Sequence, residues 1–165
     1  MLKNLAIIQA RMSSTRLPGK VLLPLSDKPV LEHVIQRVRN CKLVDKVVVA
    51  TTVHDSDDII EDWCKKNNFE YYRGSLEDVL DRYYRVASLY KSENIIRITA
   101  DCPVIDPAII DEVIKKYHEG NFDFYGLSGE FPDGLDCTIF SFNALETAWK
   151  NSKLQSEREH VCPYI

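Results

Sequence analysis

The sequence predicts an α/β fold, a three-layer α/β/α sandwich around a mostly parallel, Rossmann-like sheet, and three observations lead there. Short apolar runs alternate with longer amphipathic segments, as in a succession of βαβ units. The runs are apolar at nearly every position rather than at every second one, the pattern of parallel strands covered on both faces. Polar and charged residues gather where the runs end, the edge at which open α/β sheets bind ligands.

Leu5 to Ile8 opens the chain as a central strand. Leu31, Val34, Ile35 and Val38 fall at i, i+3, i+4 and i+7, which puts one apolar stripe on a helix from Val30 to Asn40. Lys46 to Thr51 is the second strand, and a helix from Asp57 to Asn67 follows it, with Ser56 as N-cap and Ile59, Ile60, Trp63 and Cys64 toward the core. Glu70 to Arg73 forms a third strand that Gly74 and Ser75 break. Ser75 and Asp78, three apart, make a capping-box-like start to a helix from Asp78 to Tyr90. The fourth strand is Asn94 to Ala100. Asp106 then caps a helix that begins at Pro107, runs to Glu119 and ends at Gly120 and Asn121, with Ile109, Ile110, Val113, Ile114 and Tyr117 as its apolar stripe. Phe122 to Tyr125 and Asp136 to Phe140 are strands on either side of a turn-rich loop. Asn143 to Asn151 is a short helix ahead of the charged segment Ser156 to His160.

A chain of 165 residues with 45% hydrophobic content buries a core and fits a single domain, residues 1–165, better than two. No apolar run approaches the ~20 residues that span a bilayer, so no membrane contact is expected, and the first strand leaves no room for a cleaved signal peptide. The expected setting is the cytoplasm. The five cysteines are far apart, odd in number and without a C-x-x-C pair, which argues against a disulfide framework or a zinc site. A net charge of -4 weighs against nucleic acid as a partner, because binders of that kind present a basic face.

Only the segment after the first strand is locally basic. It brings together Arg11, Ser13, Ser14, Thr15, Arg16, Gly19 and Lys20, three cations and three hydroxyls, and reads as a polyanion site that a triphosphate would fit. The alternative is a basic surface loop. Gly19, after Pro18, takes a turn that residues with a Cβ resist. The loop is not a Walker A motif, which would need glycine at Ser14 and a hydroxyl residue at Val21, and it lacks the three glycines of a dinucleotide fingerprint. Asp101, alone at the end of the fourth strand, suits a Mg²⁺ ion already carried by phosphates, since Mg²⁺ takes one or two protein carboxylates. It equally suits capping the turn before Pro103. His33 is assigned no role, His54 could approach a ligand although a histidine in a loop is usually solvated, and Trp63 is read as packing.

The segment Ile8 to Leu22 resembles the amino-terminal signature of the cytidylyltransferase family that activates acidic sugars, in its branch concerned with spore-coat polysaccharide. Further similarity lies at Arg73 to Tyr83, Arg97 to Pro103 with Asp106 and Pro107, Gly134 to Asp136, and Glu157 to Val161 with Pro163 to Ile165, so it covers the whole chain. The resemblance implies a nucleotidyltransferase in which a sugar hydroxyl attacks the α-phosphate of CTP and pyrophosphate leaves. Arg11 and Lys20 would act on the β- and γ-phosphates, and Asp101 would hold Mg²⁺. Ala10, Met12, Ser13, Ser14, Thr15, Arg16 and Gly19 would surround the nucleotide. Arg73, Gly74 and Ser75 would help hold its base or ribose, with plain helix capping as the alternative, and Asp133 and Asp136 would lie toward the sugar. No side chain stands out as general base. The resemblance also implies further strands and another metal-binding aspartate after Ile165, so the sequence is expected to be the amino-terminal portion of a longer, truncated domain. A homodimer stays open. Two other readings remain: a non-catalytic nucleotide- or sugar-binding module, and a glycosyltransferase of related fold. The latter usually shows Asp-x-Asp where this chain has Asp101-Cys-Pro103.

Overall fold

Leu5, Ala6, Ile7 and Ile8 are all fully buried, because β1 (Leu2–Gln9) lies in the middle of a sheet with helices on both sides. The computed structural model describes residues 2–14, 16–127, 131–132 and 134–165. In chain order the other elements are β2 (Pro24–Leu25) and β3 (Lys28–Pro29), which form a small separate hairpin, then α1 (Val30–Arg39), β4 (Lys46–Thr52), α2 (Asp58–Lys66), β5 (Tyr71–Gly74), α3 (Val79–Tyr90), β6 (Ser92–Thr99), α4 (Pro107–Gly120), β7 (Phe124–Gly126), β8 (Thr138–Ser141), α5 (Phe142–Asn151) and α6 (Gln155–His160).

The main sheet runs β5-β4-β1-β6-β8-β7. β5, β4, β1 and β6 are parallel, while β8 is antiparallel to β6 and β7 to β8. Successive side chains of β1 enter opposite cores. Leu5 and Ile7 pack with α3 and α5, whereas Ala6 and Ile8 pack with α1, α2 and α4. A strand facing two cores has no solvent face, which is why these runs show no apolar–polar alternation.

The connections decide where the site lies. From β1 the chain steps outward through α1 to β4 and through α2 to β5, then α3 carries it back to β6 on the other side of β1. The order therefore reverses between β1 and β6, and the segments leaving their carboxyl ends diverge, the arrangement that opens a crevice in α/β sheets. Gln9 is level with Ala50 of β4 and Thr99 of β6. Bonds from Ala10 N to Ala50 O and from Ala100 N to Gln9 O, both 3.1 Å, carry the ladder to the crevice floor.

Most expected elements form, with local differences. Ser56 is not an N-cap. Residues 55–57 make a 3-10 turn in which the His54 ring accepts from Ser56 N, and α2 begins only at Asp58. Ile59 points to solvent at 53% exposed, because the buried stripe runs through Ile60 and Cys64, four apart, and the adjacent Ile59 lies about 100° round the helix from Ile60. At α3 the capping is relayed: Ser75 Oγ accepts from Asp78 N, and Asp78, the N-cap proper, accepts from Asp81 N. β8 starts at Thr138 rather than Asp136, which leaves Asp136 on the connection before it. Burial pushes the Cys41, Cys64 and Cys137 thiols up to about 12, so they stay protonated. Among the described residues, no helix is long and apolar enough to cross a membrane.

Candidate active site

The loop that leaves β1 is built on the backbone of Met12. Its N–H donates to Asp57 Oδ1 at 2.7 Å, and its carbonyl accepts from Ser14 N at 3.0 Å and Gly19 N at 2.9 Å. Asp57 is fully buried and also receives the hydroxyl of Thr52, so a carboxylate from the start of α2 locks the first turn of the loop. Gly19 closes it at φ 72°, in the left-handed region, and a Cβ there would stand 3.1 Å from Met12 Cε. A 3-10 turn over Lys20–Leu22 follows, with Val21 buried beneath it as an anchor. The loop is thus a folded ring that turns Arg11, Ser13, Ser14, Arg16 and Lys20 toward one space.

That space is a cleft of about 260 Å³ between the loop and the end of β6, closed on the β6 side by Thr99, Ala100 and Asp101. Lys20 Nζ donates to Asp101 Oδ2 across it, and the two side chains are 27% and 38% exposed, so a ligand can reach both. Partial burial pushes the Asp101 carboxyl up, but the hydrogen bond and charge of Lys20, with the Thr99 hydroxyl, outweigh this and hold it below its ordinary value. Asp101 is therefore an anion at neutral pH, facing cations. A neighbouring cleft of about 560 Å³ shares Arg16, Lys20 and Asp101 and extends to Gly134 and Asp136. On the other side of Arg11, a further cleft is lined by Leu76, Glu77, Gln155 and Glu159.

The residues read from the sequence as site residues thus separate. Arg11, Ser13, Ser14, Arg16, Lys20 and Asp101 share one cleft, and Asp136 lines its extension. Met12 and Gly19 shape the loop, and Ala10 continues the sheet beside it. Thr15 and Asp133 lie outside the described residues. Arg73 does not reach the clefts. Its guanidinium donates to the carbonyls of Thr52 and His54 and to Asp58 and Glu61, holding the β4–α2 connection. Gly74 and Ser75 stay with β5 and the α3 cap. The residues just beyond, Leu76 and Glu77, line the cleft instead.

The charged segment near the end divides as well. Glu157 accepts from the backbone N–H groups of Lys153 and Leu154, and Arg158 ties α6 to Asp78 and to the carbonyl of Trp149. Glu159 and His160 line a cleft. Gln9 and Thr99 were legible as strand ends but not as cleft walls, since only the register brings them level. Asp57 carried no signal beyond its place at a helix start.

Two predictions follow from this division. Asp57→Ala leaves the Met12 N–H without its acceptor, so urea unfolding should show a loss of about 1–3 kcal/mol; triphosphate affinity should fall with it as the ring loosens. Arg73 belongs to a different unit. Hydrogen bonds from Lys65 first, then Arg73 and Tyr71, lower the Glu61 carboxyl to about 2 from 4.5. A depressed carboxyl stabilises above its unfolded value, and that contribution fades as pH falls from 4.5 toward 2. Arg73→Leu should accordingly move the acid-unfolding midpoint, followed by circular dichroism, to higher pH while nucleotide affinity holds. An unchanged acid transition with lost nucleotide affinity would return Arg73 to the site.

A family model described as "Cytidylyltransferase" matches residues 5–165. The chain is 40% identical over 167 residues to the spore coat polysaccharide biosynthesis protein SpsF of Bacillus subtilis, covering 98% of this chain and 69% of that protein. It is 40% identical over 116 residues to a 3-deoxy-manno-octulosonate cytidylyltransferase of Geobacter sulfurreducens, 69% of this chain but 45% of that enzyme. Among solved structures, a cytidylyltransferase from Leptospira borgpetersenii superposes with a TM-score of 0.92 at 39% identity, over 99% of this chain and 71% of that one. With the family match spanning nearly every residue and close relatives aligned along the same length, the chain belongs to the cytidylyltransferase family and is a nucleotidyltransferase.

Proposed function

We propose that this protein transfers CMP from CTP to a hydroxyl of an acidic sugar and releases pyrophosphate. The observation that carries the reading is the convergence of Arg11, Arg16, Lys20, Ser13 and Ser14 with Asp101 on one cleft at the strand-order reversal. The names of relatives, one concerned with spore coat polysaccharide and one with 3-deoxy-manno-octulosonate, support the substrate class. Mostly buried thiols are consistent with a cytoplasmic setting.

In this reading the triphosphate lies along the loop. Arg11 and Arg16 offer planar forks, Lys20 a point charge, and the Ser13 and Ser14 hydroxyls further donors to the phosphate oxygens. Lys20 and Asp101 neutralise each other in the free protein, so nucleotide binding is an exchange in which Lys20 trades a carboxylate for a phosphate and Asp101 is released. Asp101 then fits Mg²⁺ in one role only. Among the described residues no cluster of three His, Cys, Asp or Glu side chains could hold a metal alone, so Asp101 would supply one carboxylate to an ion that arrives on the triphosphate. Such an ion polarises the α-phosphate and lowers the pKa of an attacking hydroxyl. The hydroxyl oxygen forms the new bond to the α-phosphorus as the bond to pyrophosphate breaks, its proton passes to solvent water, and the cationic loop stabilises charge on the leaving group.

CTP should raise Tm more than ATP or GTP at equal concentration. Lys20→Ala should weaken CTP ~10-fold or more, from loss of a charge-assisted contact, and leave cytidine binding nearly unchanged. Equal stabilisation by all nucleotides, or an unaltered CTP affinity in the variant, would remove the assignment. Asp101→Asn separates the two partners of Lys20. In EDTA its affinity for CTP should be undiminished by calorimetry, because Lys20 no longer has to leave a carboxylate, whereas the gain from adding Mg²⁺ should disappear.

A further inference from the structure

On the α3–α6 side of β1, next to the triphosphate cleft, a cavity of about 150 Å³ is lined by Gln9, Arg11, Arg82, Arg97, Glu159 and His160. Arg82 is 2% exposed, yet its Nε and Nη1 have no hydrogen-bond partner, and Nε of half-buried Arg97 has none. No carboxylate pairs with either side chain among the described residues. Glu159 lies at the exposed rim, where water solvates its charge. The contrast with Arg73, which satisfies its guanidinium on four acceptors, shows that the chain has the means to pair an arginine.

Arg82 is held in place deliberately by the packing. A Cβ at Gly74 would come within 2.6 Å of Arg82 Cγ, so the absence of a side chain at Gly74 is what admits the arginine stem. Tyr83, the next residue of α3, is fully buried and donates to Gln9 Oε1 and Ile7 O, which fixes the helix turn against the end of β1. A buried guanidinium without hydrogen-bond partners is unfavourable, because it gives up water and receives in return only the more distant charges of Asp57 and Asp78. Burial is the largest influence and lowers the Arg82 pKa; Tyr83 opposes it, the Arg11 charge adds to it, and the charges of Asp57 and Asp78 partly offset it, and an arginine stays protonated in proteins. The group that belongs in the cavity must carry negative charge and supply acceptors only. The volume suits a carboxylate with its adjoining carbons, and the shared walls Gln9 and Arg11 put that group beside the triphosphate.

We propose that Arg82, assisted by Arg97, binds the carboxylate of the acidic sugar acceptor; this rests on the nucleotidyl-transfer reading above. A phosphate of the nucleotide has the same oxyanion chemistry, so the test separates the two sources. Thermal shift and calorimetry on the 165-residue chain would use 3-deoxy-manno-octulosonate and N-acetylneuraminate, the methyl ester of each, inorganic phosphate, and CTP. At least one free acid should raise Tm where its ester does not. Arg82→Met, which keeps the stem and removes the charge, should raise the ligand-free Tm, weaken the acid by about tenfold or more, and leave the CTP shift intact. A merely structural arginine would instead lower the ligand-free Tm on substitution and leave acid binding alone, and that result overturns the proposal. So does CTP stabilisation accompanied by no acid shift, or by equal shifts from acid and ester; either leaves the nucleotide reading standing. Loss of the CTP or phosphate shift in Arg82→Met would assign the cavity to the nucleotide and also overturn it. A wild-type chain that ignores CTP but shows an Arg82-dependent acid shift would support the carboxylate site while removing the nucleotide reading.

Discussion

Parallel pairing on both sides of β1 is the constraint on which the rest of this molecule depends. A parallel neighbour cannot be reached by a tight turn, so each pairing requires a helical crossover. Crossovers to β4 and β5 lead away from one edge of β1, and the return to β6 uses the other face and the other edge. A crevice at the carboxyl end of β1 and β6 is the geometric result. The loop after β1 and Asp101 after β6 are placed on its two sides by topology before any side chain contributes.

Within that frame, charge is arranged locally against the average. The chain is acidic overall, with a net charge of -4, yet one cleft gathers Arg11, Arg16 and Lys20. Asp101 restrains that cluster in the free state by pairing with Lys20, and Asp57 restrains it from below by holding Met12. The two aspartates act differently. Asp57 is sealed in and holds the Met12 N–H and the Thr52 hydroxyl, whereas Asp101 is open to the cleft.

The arginines divide along the same line. Arg73 and Arg158 tie connections together through acceptors supplied by the chain itself. Arg11 and Arg16 line one cleft, and Arg82 lines the neighbouring one with its Nε and Nη1 lacking hydrogen-bond partners. Where the chain supplies acceptors, as for Arg73 and Arg158, the side chain joins elements of the fold. Residue type does not distinguish these cases, and position in the fold does.

The sequence by itself determined the layer architecture, because fully apolar runs separated by amphipathic stretches have few other ways to bury their surfaces. It also exposed the loop from Arg11 to Lys20, whose three cations and three hydroxyls are adjacent in the chain, and Asp101, which ends a strand. What it could not show depends on register and rotation. Gln9 and Thr99 become walls of one cleft through pairing of residues ninety positions apart. Ile59 lies off the core because packing selects the stripe of Ile60 and Cys64 as the buried face of α2. Along the chain Arg73, at a strand end, was a candidate for the site, and Arg82, on a helix, was not. Only the tertiary structure turned the first toward four acceptors and packed the second, past a glycine that leaves it room, where its Nε and Nη1 make no hydrogen bond, because the distance between a buried charge and its partner is set by packing and not by sequence separation.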